Sequence, residues 1–141
     1  MVRDVLRADE VGNLFNAIAG ALRIQITLVE VKITPEGSGC LIRSRDFYGR
    51  LPDVKISFLQ DKESTLDSIC ICAARLGMAV RFRQELATSF CGCSFFLLAS
   101  KKKSILVGIR AGDKKIIARG PDPCEAYMEL KKAADESMKI A

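Results

Sequence analysis

Between Arg81 and Arg119 the chain places nine Lys or Arg against two Asp or Glu, whereas residues 1–76 hold ten of each sign. The nine are Arg81, Arg83, Lys101, Lys102, Lys103, Arg110, Lys114, Lys115 and Arg119. A local excess of this size over a short stretch suits phosphate groups, which guanidinium and ammonium donors bind by charge-assisted hydrogen bonds. The other reading is a solvated sheet face whose lysines discourage edge-to-edge aggregation. A second cluster, Arg43-Ser44-Arg45-Asp46-Phe47-Tyr48-Gly49-Arg50, interleaves arginines with two aromatics. That mixture suits stacking on bases together with pairing to phosphates, so Arg43, Arg45, Tyr48 and Arg50 join the candidate ligand contacts. Its plainer alternative tucks Phe47 or Tyr48 into the core and leaves the arginines in water.

Other chemistries are poorly served. The chain has no histidine, which removes the commonest general base, the usual partner of a catalytic Ser or Cys, and the commonest nitrogen ligand for zinc. Cys70 and Cys72 sit two apart in a helical pattern, where side chains diverge by about 200°, so they cannot easily share an ion. Cys91 and Cys93 have one intervening residue, fewer than metal motifs use. Most of the six cysteines lie in apolar runs and read as buried thiols. Asp46, Asp53 and Asp61 show no paired spacing, and there is no phosphate-binding glycine loop. No catalytic residue, metal or cofactor is expected.

These residues need elements to hold them. At 141 residues, 49% hydrophobic and 28% charged, the chain is sized for one domain, 1–141, with a real core. Val11, Leu14, Phe15, Ile18 and Leu22 predict an amphipathic helix over 9–22. Residues 24–33 alternate and then shift phase, which predicts a strand with a bulge near Leu28 or one buried on both faces. Strands are expected at Cys40 to Asp46 and Val54 to Leu59, with a loop from Phe47 to Asp53 between them. Ser64 and Asp67 have capping-box spacing for a helix over 66–76 that Gly77 should close. Met78, Val80, Phe82, Gln84 and Leu86 alternate with Ala79, Arg81, Arg83 and Glu85, predicting a strand that exposes Arg81 and Arg83. Phe90 to Ala99 reads as a central strand and Lys101 to Ser104 as a turn.

The end of the chain is the clearest part. Ile105 to Arg110 and Lys115 to Arg119 flank Gly112-Asp113, a hairpin signal. Gly120 and Pro121 stop the second strand, after which Asp122, Pro123 and Glu125 supply the N-cap, first turn and capping box of a last helix. The fold class is therefore α+β, antiparallel sheet with three helices packed on it, and 24–76 and 78–138 read as a ββ(β)α pseudo-repeat. STLDSICICAARL, Ser64 to Leu76, is similar to a helix of small phage and prophage proteins described as α-β-α sandwiches, and Pro121 to Ala133 resembles the same element. The resemblance implies an accessory protein of viral or prophage origin.

Two function classes follow. One is a non-enzymatic module holding nucleic acid or a nucleotide on a basic sheet surface. The other is a homo-oligomeric assembly subunit or inhibitor that binds a host protein. The start of the chain lacks a long apolar core and no run of about 18 apolar residues occurs, so a cytoplasmic setting without membrane contact is expected.

Overall fold

The computed structural model describes residues 6–59, 61–99 and 103–137. Helix α1 (Ala8–Ala21) leads into β1 (Thr27–Ile33), β2 (Gly39–Asp46), β3 (Gly49–Arg50) and β4 (Val54–Ser57). Helix α2 (Lys62–Ser89) connects these to β5 (Ser94–Leu98), β6 (Ile105–Ala111) and β7 (Lys114–Gly120), and α3 (Pro123–Ser137) follows. The α+β expectation is met, with two antiparallel sheets.

In the first sheet β2 is central, paired with β1 on one side and with β3 and β4 in succession on the other. The phase shift read in 24–33 is a register slip between Leu28 and Glu30. The stretch expected to be a loop contains β3, and the ladder continues as Leu51 donates its N–H to the Ser44 carbonyl at 3.0 Å. Pro52, which has no N–H to give, separates β3 from β4. The second sheet is a meander, β5-β6-β7, so β5 is an edge strand rather than the central one expected from its apolar run.

The largest departure is α2. The strand expected over 78–86 is helix, continuous through Gly77. Gly77 serves packing rather than termination: a Cβ there would overlap the Ile24 side chain. The helix also starts earlier than the Ser64 cap, since Asp61 is the N-cap and its Oδ1 accepts the Ser64 N–H at 2.7 Å. At the last helix the expected N-cap is present, with Asp122 Oδ1 accepting the Glu125 N–H at 2.8 Å, while the Glu125 carboxylate lies 3.8 Å from Arg75.

Two apolar cores lie along α2. Ile69, Ala73 and Leu76 join Phe15, Cys40, Ile42 and Ile56 beneath the first sheet. Ala79, Val80 and Leu86 join Val107, Ile109, Tyr127 and Leu130 beneath the second, where Leu51 of the first half also inserts. The boundary between the two sequence halves thus falls inside one helix.

Candidate functional site

In the second sheet, alternation sends Val107, Ile109, Phe95 and Leu97 toward α2 and α3. The opposite face then carries three cross-strand rows fixed by register: Ser94, Arg110 and Lys115; Phe96, Gly108 and Ile117; Leu98, Leu106 and Arg119. Arg110, Lys115 and Arg119 are exposed on it, and Ile117 is 48% exposed. Phe96 extends across Gly108, whose missing Cβ leaves the room its ring occupies. The Lys115 ammonium sits 5.0 Å from the centre of that ring, a cation–π contact. Covering a glycine with a cross-strand aromatic stabilises a sheet, and it also lays out an apolar ring between three cations. Among the described residues none of the three is in an ion pair.

The other sequence candidates are dispersed. Lys101 and Lys102 lie outside the described residues. Lys103 is exposed at a cleft between the two sheets. Lys114 turns toward α3, donating to the Ser137 carbonyl at 3.1 Å. Arg81 is exposed on α2 beside Gln84 and Glu85, not on a sheet. On the first sheet Arg43 and Arg50 converge on Asp53 Oδ2 at 3.2 and 3.1 Å, and Arg45 stands exposed opposite Arg50 in register. Tyr48 is half-buried, edge-on to Phe95 at 5.6 Å, while Phe47 at the hairpin tip is 89% exposed.

Arg83 must be removed from the ligand set. Helical rather than strand geometry turns it inward, and its side chain and that of Asp46 are each 1% exposed. Its guanidinium lies 3.3 Å from Asp46 Oδ1 and donates to the Arg50 carbonyl at 3.0 Å and to the Tyr127 hydroxyl at 3.1 Å. The Phe95 ring centre lies 4.8 Å from it. Burial pushes the Asp46 carboxyl above its ordinary value against the pull of Arg83, and it pushes the Tyr127 phenol up to about 12. This cluster joins β2, β3, α2, β5 and α3, and it is structural. No family model matches this chain, and no curated protein does.

The thiols give no second site. Cys40 and Cys124 are buried, and burial raises the Cys40 thiol to about 11 and that of Cys72 to about 12. Among the described residues no three His, Cys, Asp or Glu are grouped to hold a metal. An apolar groove of about 360 Å³ runs between β4, α2 and the start of α3, but its Arg75 is paired with Asp122 and lies 3.8 Å from Glu125. Among the described residues no helix is long and apolar enough to cross a membrane.

Sequence reasoning missed Phe96, read there only as part of an apolar run. The signal was present in the register: Phe96 falls opposite Gly108, so one of the two alternating apolar sets must face outward.

Proposed function

We propose that the protein binds single-stranded nucleic acid or a nucleotide on the outer face of its second sheet, without catalysing a reaction. The supporting observation is the convergence of Arg110, Lys115 and Arg119 around Phe96 on a face where no acid stands among the described residues. A base stacks on the ring while its phosphates meet the flanking cations, an arrangement that serves any base because every base has a π face. The flat, one-sided layout suits a single strand, whose bases can be splayed onto it, better than a duplex, whose bases are already stacked.

Fluorescence anisotropy with labelled single-stranded oligomers at low salt tests this. Phe96→Leu keeps apolar cover over Gly108 and removes the ring, and it should weaken binding about tenfold to a hundredfold. Three phosphate contacts should give a log–log salt slope near about −2, which Arg119→Gln reduces by about 0.7. Absence of binding to single strands and to a panel of nucleotides, or binding indifferent to Phe96→Leu, refutes the reading. A second reading, an assembly subunit contacting another copy or a host protein, is favoured by Leu59 and Ile71, which are 46% and 60% exposed and line the apolar groove. Light scattering on the same samples separates it from the first.

A further inference from the structure

We propose that the cleft between the two sheets is a second phosphate subsite, continuous with the sheet face, in which Asp53 holds Arg43 and Arg50 ready and yields them to the backbone of a bound strand. This rests on the nucleic-acid reading above and extends it to a different group of side chains.

The cleft has a volume of about 510 Å³ and is bordered by Arg50 and Asp53 on one side and by Leu98, Lys103 and Leu106 on the other. Leu98 and Leu106 form the row directly beside Phe96 and Gly108. A strand that stacks on Phe96 and runs along that edge therefore enters the cleft at its next step, past the Lys103 ammonium. At the border of the cleft two guanidiniums are directed at one carboxylate oxygen, Arg50 Nη2 from the lining at 3.1 Å and Arg43 Nε from beyond it at 3.2 Å from Asp53 Oδ2. A phosphodiester presents the same kind of acceptor, and guanidinium donors suit either anion.

Asp53 is thus a stand-in for phosphate. It fixes the two arginines in a convergent arrangement while no strand is bound, and its charge opposes the strand that replaces it. Its Oδ1 is buried and has no hydrogen-bond partner among the described residues, so the carboxylate is held by one oxygen only. Glu30 adds a weaker contact, 3.9 Å from Arg43. Arg45 stands opposite Arg50 in register, outside the residues that border the cleft.

The experiment is a length series of oligothymidylates measured by anisotropy against wild type, Phe96→Leu, Arg50→Gln and Asp53→Asn. The shortest oligomer that binds covers the sheet face alone and should bind wild type and Arg50→Gln alike. Longer oligomers should lose affinity in Arg50→Gln and bind Asp53→Asn about fivefold tighter, the effect of removing one unit charge about 4 Å from a phosphate in water. If Phe96→Leu weakens every length while Arg50→Gln and Asp53→Asn change none, the sheet face stands and the cleft subsite is wrong. If wild type binds no length, the sheet-face reading fails and takes the subsite with it. Should Asp53→Asn fail to fold, Arg50→Gln decides alone, because the Arg50 side chain is 61% exposed and its partner among the described residues is Asp53.

Discussion

Replacing Arg83 with Met separates a buried structural cation from a surface one. The substitution keeps an unbranched apolar stem but removes every donor and the guanidinium that lies over Phe95. Asp46 then lies buried with only backbone N–H groups to offset its charge, Tyr48 at 2.9 Å among them, and the Arg50 carbonyl and Tyr127 hydroxyl lose the guanidinium. Removing one partner of a buried ion pair costs about 3–5 kcal/mol. With an unfolding entropy of about 2.1 cal/mol/K per residue over 141 residues, about 0.3 kcal/mol/K, the melting temperature should fall by about 10–17 °C. An arginine on a wet strand face would change stability by only about 0.5 kcal/mol. The pH dependence has a definite sign. Without Arg83, burial raises the Asp46 carboxyl further above its unfolded value. A group raised in the folded state contributes stability below its unfolded value and loses it as pH rises through the folded one. The deficit of the variant should therefore be larger at about pH 7 than at about pH 4. Replacing Asp46 with Leu as well should recover much of the loss. Thermal and urea unfolding at both pH values measure this, and a melting point for Arg83→Met within about 2 °C of the parent would refute the buried network.

Asp122→Ala should cost about 0.5–2 kcal/mol by removing the cap of α3, measured by urea unfolding. Burial alone would raise the Asp122 carboxyl, but hydrogen bonds from Arg75 and the Glu125 N–H together hold it below its ordinary value. Its contribution is accordingly present above the unfolded value and disappears as pH falls through the folded one, so the Asp122→Ala deficit should shrink in acid. Towards a thiol reagent the exposed Cys91 should react in the native state, whereas Cys40 and Cys72 should react only after denaturation; mass spectrometry of the labelled peptides reads both, and early labelling of Cys40 contradicts its burial.

Local signals carried the sequence reading where one residue type served one purpose. The Gly112-Asp113 turn, the Asp122 cap and the bulge near Leu28 all follow from short-range chemistry, and each stands in the structure. The reading failed where α2 serves two cores. Met78, Val80, Phe82, Gln84 and Leu86 alternate like a strand, yet the buried residues are Leu76, Ala79, Val80, Arg83 and Leu86, a helical recurrence hidden because one of them is an arginine. Gly77 deepened the error, since a glycine needed for close approach of Ile24 looks the same in sequence as one that ends a helix. The basic face was half legible. Charge density pointed to the second sheet, but the register selected Arg110, Lys115 and Arg119 and turned Lys114 away. Asp53, ten residues from Arg43 in the chain, could be matched to it only in space.

Helix α2, 28 residues and about 42 Å long, also limits how this chain can be divided or inherited. A helix that contributes side chains to both cores cannot be assigned to one half, so cutting the chain near Gly77 leaves each fragment with an unfinished interior. A copied sheet-plus-helix unit would give each sheet a helix of its own, whereas here α2 serves both cores. Loss of order at either sheet should then propagate along the shared helix to the other, so the two sheets are expected to unfold in a single transition rather than in turn.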